Sequence, residues 1–218
     1  MKIIPVIHIN NIRQAVEQVK IVKAVGLDTV ALIQMSAKDA WVDSAMAVCR
    51  DEFPEMKFIL NYLSVQNIHD AMTRAKLSDA AGFWIDNAGV YEGHMSEEFA
   101  ATSTFLETRM FNVYAGFNFK YQPCDNDPAA SMKVIQDAGF IPCTSGPGTG
   151  EAPDLEYLSA LRAKVPEGRL AIASGVTPAN VAKFHGLVTD ILVGTGISSS
   201  FYEIDPVKLE ALLEAIRR

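Results

Sequence analysis

The chain has 218 residues, of which 49% are hydrophobic and 21% charged, and its net charge is −7. That length supports one sizeable core, and the composition is that of a globular protein rather than a disordered one. The acidic balance excludes a broad surface for nucleic acid or for an anionic membrane, but it leaves room for a local positive pocket that takes a small anion.

Short apolar runs rich in β-branched residues recur from the N-terminus onward, each followed by a longer segment with helical spacing. The runs predict eight strands, at residues 3–9, 29–35, 57–62, 82–87, 112–118, 141–144, 170–174 and 190–194. The segments between them predict helices at 12–25, 40–52, 68–75, 96–109, 128–138, 155–164 and 178–185, with a last one at 206–217. Ser36 and Asp39 stand where the second helix region opens, and Ser96 precedes Glu97 and Glu98, acids suited to a first turn. Thr177-Pro178 and Asp205-Pro206 read as N-caps with proline at the first helical position. Gly26, Gly139 and Gly186 stand where a left-handed residue ends a helix.

Strands alternating with helices imply parallel pairing, because each parallel connection needs a crossover. Eight units of roughly 27 residues each fit a closed barrel, so the chain is read as one (β/α)8 domain spanning residues 1–218. The alternative is an open doubly wound sheet, which usually carries a glycine-rich turn after its first strand. Here that strand ends His8-Ile9-Asn10-Asn11, without glycine.

The cysteines, Cys49, Cys124 and Cys143, are odd in number and lack metal-ligand spacing. They read as reduced thiols of a cytoplasmic protein. No segment reads as a signal peptide or membrane span. Neither a metal nor an organic cofactor is called for, since His8 and Asp86 lack a paired-carboxylate or HxH companion.

The glycines concentrate late. Thr144-Ser145-Gly146-Pro147-Gly148-Thr149-Gly150, Ser174-Gly175-Val176-Thr177-Pro178 and Val193-Gly194-Thr195-Gly196 each follow a predicted strand and so fall on the face where barrels carry chemistry. Glycine lets backbone N–H groups close on an anion, and short helices starting there would aim positive dipole ends at it. Barrels often bind phosphate with the loops after strands seven and eight. Thr144, Gly146, Gly148, Ser174, Gly175, Gly194 and Thr195 are therefore the candidate phosphate contacts. The competing reading is that each glycine only makes a tight turn.

The residues at the other strand ends are the candidates for chemistry. His8 has the side chain whose ordinary pKa suits proton transfer near neutrality. Asp86 follows Phe83-Trp84-Ile85, surroundings that raise a carboxyl pKa. Lys120, in Asn118-Phe119-Lys120, would hold an anion or form a Schiff base, and strand alternation puts Asn118 on its face. Asn61 and Gln34 are amides fit to orient hydroxyls. Glu92 and His94 fall in a loop that would serve as a lid. Each has a bland alternative: a hydrogen-bonded structural histidine, a capping carboxylate, a solvated lysine, a core amide, a solvated loop.

Thr144-Ser145-Gly146-Pro147-Gly148-Thr149-Gly150 with Asp154-Leu155-Glu156, then Ser174-Gly175-Val176-Thr177-Pro178-Ala179-Asn180-Val181 and Val193-Gly194-Thr195, resemble segments of the BtpA/SgcQ family. Phe83-Trp84-Ile85-Asp86-Asn87 is similar to a strand of that family, and His8 matches an early histidine. The resemblance covers residues 141–198 well and the rest thinly. It implies a barrel of the phosphoribosylanthranilate-isomerase-like kind. The chain departs from the family at Ile9-Asn10-Asn11-Ile12, at Gln34-Met35-Ser36-Ala37-Lys38 and at Gly196-Ile197-Ser198, where a lysine is expected, and it lacks the early cysteine of a true phosphoribosylanthranilate isomerase. The expectation is an isomerase, lyase or glycosyl-transfer enzyme for a small phosphorylated metabolite (phosphosugar, ribose phosphate or nucleotide), working as a homo-oligomer. The alternatives are a non-catalytic phospholigand-binding assembly or regulatory protein of the BtpA type, and a Schiff-base aldolase using Lys120.

Overall fold

The computed structural model describes residues 1–104 and 111–217. Eight parallel strands close into a barrel: β1 (Lys2–His8), β2 (Thr29–Ile33), β3 (Lys57–Asn61), β4 (Gly82–Ile85), β5 (Asn112–Gly116), β6 (Ile141–Thr144), β7 (Ala171–Ala173) and β8 (Asp190–Val193). Each strand pairs with its neighbours in sequence, and β8 closes on β1 with Ile3 opposite Ile191 and Pro5 opposite Val193. The barrel reading thus holds over the open-sheet alternative. Among the described residues seven α-helices pack outside: α1 (Ile12–Ala24), α2 (Asp39–Glu52), α3 (Ile68–Leu77), α4 (Glu97–Thr104), α5 (Pro128–Asp137), α6 (Leu155–Lys164) and α7 (Pro206–Arg217). Residues 105–109 of the predicted fourth helix lie outside the described residues.

Strand alternation sorts the apolar residues into two cores. Ile4, Val6, Ile33, Ile59, Trp84, Tyr114, Cys143 and Leu192 fill the lumen. Ile3, Ile7, Val30, Leu32, Phe58, Phe83 and Ile191 face outward against the helices. The helix starts are capped unevenly: α2 begins after Lys38 with no side-chain cap, so neither Ser36 nor Asp39 serves as one. Asn11, Asn67 and Asp154 accept backbone N–H groups at the starts of α1, α3 and α6, and the Ser96 hydroxyl accepts from Phe99 N at 3.2 Å. Gly26, Gly139 and Gly186 take φ of +84°, +78° and +76°.

Three local features differ from the sequence reading. The helix expected over 178–185 is a single 3-10 turn, Val181–Phe184. Asn180 explains it: its Oδ1 accepts from Thr177 N at 2.8 Å and its Nδ2 donates to Gly175 O at 2.9 Å, so a side chain does what a longer helix start would do. β5 stops at Gly116 rather than at residue 118, because a Cβ at Gly116 would sit 2.0 Å from Asp86 O and Asn118 turns to φ +43°. Two hairpins were not foreseen. One pairs Val90–Tyr91 with His94–Met95, and the other pairs Ser198–Ser200 with Glu203–Ile204 just beyond β8. No helix among the described residues is long and apolar enough to cross a membrane.

Candidate active site

Alternation carries particular residues to the C-terminal mouth. β1 turns Ile4 and Val6 into the lumen, so His8 comes next at its upper end; β3 does the same with Ile59 and Asn61, β4 with Trp84 and Asp86, and β8 with Leu192 and Gly194. His8, Trp84, Lys120 and Gly194 border one pocket at the mouth, and Gly150, Ser174 and Thr195 form its side.

His8 is half-buried there. Its Nδ1 lies 3.1 Å from the carbonyl oxygen of Phe201, and its ring stacks on the Phe201 ring with centroids 4.4 Å apart. Burial pushes the imidazole pKa below its ordinary 6.5, and the Lys120 charge adds to that, while the Phe201 carbonyl works the other way. That balance favours the neutral ring over the charged one. Lys120 reaches the pocket from the loop after β5, four residues beyond the strand. Its backbone N donates to Ser145 Oγ at 2.8 Å, and its ammonium lies 5.5 Å from the Phe119 ring centroid. Among the described residues that ammonium has no hydrogen-bonded or ion-paired partner.

The glycines divide into two kinds. A Cβ at Gly175, where φ is +66°, would lie 1.9 Å from Ala152 N, and one at Gly146 would lie 2.2 Å from Glu151 O. Gly175 lets the loop after β7 press backbone to backbone on the loop after β6, and Gly146 lets the loop after β6 fold back on its own Glu151 and Ala152; both are packing roles. Gly148 faces the Glu151 side chain, 3.0 Å from its Oε1. At Gly194 a Cβ would instead point into the pocket, 3.3 Å from His8 Cε1. Ser174 takes φ +116°, a strained value for a residue with a side chain. Its hydroxyl accepts from Gly150 N and donates to Gly148 O, both at 3.0 Å, and so shapes the loop that walls the pocket.

Asp86 lies apart from His8. It borders a neighbouring depression with Asn61, whose Nδ2 donates to Asp86 Oδ1 at 3.3 Å. Burial raises its carboxyl above the ordinary aspartate range, against the lowering effects of the Lys120 charge and the Asn61 amide. Thr144 is fully buried, and its hydroxyl donates to Asn118 O at 3.2 Å. Asn118 donates its amide to Tyr157 Oη at 2.9 Å and accepts from Asp125 N at 3.0 Å, and it borders a second pocket together with Lys120. Strand alternation is not what brings the pair together, because neither residue is in the strand. Gln34 accepts from Ser36 N and Lys38 N and so caps its own turn. Glu92 and His94 belong to the first hairpin, tied to the loop before α5 by Glu92 N donating to Asp125 Oδ1 at 2.9 Å. Among the described residues no cluster of three His, Cys, Asp or Glu side chains is placed to hold a metal.

Two residues of this region escaped sequence reasoning. Trp84 borders the pocket with its indole nitrogen buried and without a hydrogen-bond partner. Its position two residues before Asp86 on the same strand was the available signal. Phe201 had no such signal, since its contact with His8 spans 193 residues.

No protein-family model matches the sequence, and no curated protein matches it. The BtpA/SgcQ resemblance therefore stands on its motifs alone. Solved structures do match over the whole chain. A 3-hexulose-6-phosphate synthase superposes with a TM-score of 0.73 at 15% identity, covering 99% of this chain and 100% of that one. A 3-keto-L-gulonate-6-phosphate decarboxylase from Vibrio cholerae gives 0.70 at 17%, covering 100% and 97%. A phosphoribosyl anthranilate isomerase from Thermus thermophilus gives 0.63 at 14%, covering 100% and 98%. At such identities the likeness establishes the fold: the chain is a (β/α)8 barrel.

Proposed function

We propose that this protein is an enzyme acting on a small phosphorylated metabolite, a phosphosugar or a ribose phosphate first among them, by proton transfer at the barrel mouth. The observation that carries this reading is the convergence of His8 and of Lys120, whose ammonium has no hydrogen-bonded or ion-paired partner among the described residues, on one pocket walled by the loops after β6, β7 and β8. The phosphate sits on the side of Gly150, Ser174, Gly194 and Thr195, with Lys120 supplying the positive charge that an otherwise acidic chain lacks there. Phosphate binding away from the reacting atoms orients them and contributes to catalysis through position. His8 takes or returns the proton, and Lys120 stabilises negative charge as it develops. Asp86, fixed by Asn61, acts on the pocket through its field on Lys120. Isomerisation and lysis both follow from these parts, and the names of the three similar structures, all enzymes of phosphorylated sugars or phosphoribosyl compounds, support that range.

A thermal-shift panel tests the reading. Ribose 5-phosphate, a nucleoside monophosphate and inorganic phosphate are compared with unphosphorylated ribose. A ligand at a hundredfold excess over its Kd adds about 2.7 kcal/mol of stability, several degrees in Tm for a chain of this size. The phosphorylated compounds raise Tm and ribose does not. Gly194→Asp, which sends a carboxylate into the pocket beside His8, abolishes the shift. A flat response to every phosphorylated compound would remove the proposal.

A further inference from the structure

The hairpin beyond β8 has no part in closing the barrel, yet it is tied down at several points. Gln14 on α1 donates its side-chain amide to Tyr202 O and, at 3.3 Å, to His8 O. Gln18, one turn along and buried, accepts from Ile204 N at 2.7 Å. Lys208 on α7 donates to Ser198 O at 2.7 Å. These ties carry the hairpin over the end of β1 and set Phe201 against His8 on two sides, by its carbonyl and by its ring.

The carbonyl decides the chemistry of the imidazole. A carbonyl oxygen only accepts, so the ring nitrogen 3.1 Å from it must carry a proton. In a neutral ring the other nitrogen is then bare. The stacked Phe201 ring, inclined by 17°, holds the imidazole plane, and the opposite edge of the ring faces the missing side chain of Gly194, where a Cβ would lie 3.3 Å from Cε1 and 4.0 Å from Nε2. Glycine at 194 leaves that edge open to the pocket.

We infer that the Ser198–Ile204 hairpin is a positioning device that locks His8 as the Nδ1–H tautomer and presents Nε2 to the mouth as a hydrogen-bond acceptor. Phe201 and Gln14 are positioning residues in this arrangement. The bare Nε2 takes a hydroxyl or an acidic C–H and is ill matched to a phosphate or carboxylate oxygen. The ligand that satisfies it offers a hydroxyl or an acidic C–H to Nε2, as hydroxy-carbonyl phosphates do. The use of Nε2 in proton transfer rests on the function proposed above; the tautomer does not.

The test is nitrogen NMR of the 15N-labelled full chain without ligand, with the His8 signals assigned by their loss in His8→Gln. The wild type shows the pyrrole-type nitrogen at Nδ1 and the pyridine-type nitrogen at Nε2. Gln14→Ala, which unties the hairpin, shifts the ring toward a mixture of tautomers, as does Phe201→Ala; Phe201→Tyr restores the wild-type pattern. An Nε2–H tautomer or an exchanging mixture in the wild type overturns the inference, as does an unchanged tautomer in both Gln14→Ala and Phe201→Ala. The Nδ1–H form with no binding of any phosphorylated compound of the panel would keep the positioning role and remove the proposed function. Binding with the Nε2–H form would do the reverse.

Discussion

The two ends of the barrel treat polar groups in opposite ways. At the N-terminal end Asp190, 1% exposed, receives four donors: Arg169 Nε at 3.1 Å, a second nitrogen of Arg169, Tyr114 Oη at 3.0 Å and Thr189 Oγ1 at 2.6 Å. Arg169 in turn reaches Asn112 Oδ1 at 3.0 Å. At the mouth, among the described residues, the Trp84 indole N–H has no hydrogen-bond partner, the Lys120 ammonium has none beyond the Phe119 face and the field of Asp86, and the Asp86 carboxylate has one long donor at 3.3 Å. A buried polar group left without a partner costs free energy. A barrel that satisfies one end and leaves the other wanting has stability at the first and readiness for a ligand at the second.

The largest effect expected from this contrast is at the satisfied end. Arg169→Met takes two donors from a buried carboxylate and should cost about 3–5 kcal/mol, the range for breaking a buried pair by removing one partner. Urea unfolding measures it, and binding at the mouth should be unchanged in the folded variant. A cost below about 1 kcal/mol would show that the Asp190 network is not what holds that end.

Next comes the seam between the loops after β6 and β7. Gly175→Ala combines a left-handed φ with a Cβ at 1.9 Å from Ala152 N, so overpacking and backbone strain add to about 2–4 kcal/mol. Gly194→Ala, at φ −117°, meets the edge of His8 at 3.3 Å and Val6 Cβ at 3.7 Å, side chains rather than backbone, and should cost less stability while weakening ligand binding more. The reverse ordering would move the anion site from Gly194 to Gly175.

The smallest effect has the more telling sign. The folded pKa of Asp86 is raised by burial, so between the ordinary value of 3.8 and its folded value the native state holds more protons than the unfolded one. Its stability contribution therefore falls as pH rises through that window, and above the folded value the charged carboxylate is a cost. Asp86→Asn should leave Tm at pH 7 unchanged or higher, with the wild type regaining ground as pH is lowered toward 4. A clear loss of Tm at pH 7 would make Asp86 a structural carboxylate.

Much of the mouth was legible in the sequence, and the Asp190 network at the other end was not. Position at the end of an apolar run put His8, Asn61, Asp86 and Gly194 at the mouth. β6 and α7 fall at the expected residues because Gly139 and the Asp205-Pro206 cap bound them. Alternation failed for Lys120 and Asn118, since Gly116 ends β5 where its backbone meets Asp86. It failed for 178–185 because Asn180 replaces helix bonds with side-chain ones. The late glycines looked alike in sequence, and only the neighbours of each missing Cβ separate the packing positions, Gly146 and Gly175, from the open one, Gly194. The hairpin that holds His8 was out of reach, being a contact between the two ends of the chain.

The most direct measurement of the central claim is a titration of the 15N-labelled protein with ribose 5-phosphate, followed residue by residue. The account predicts that the Trp84 indole N–H and the amides of Gly150, Gly194 and Thr195 shift together along one saturation curve, while the Arg169 and Asp190 signals at the other end stay still. Shifts confined to the Asp190 end, or none at the mouth at saturating ligand, would contradict it.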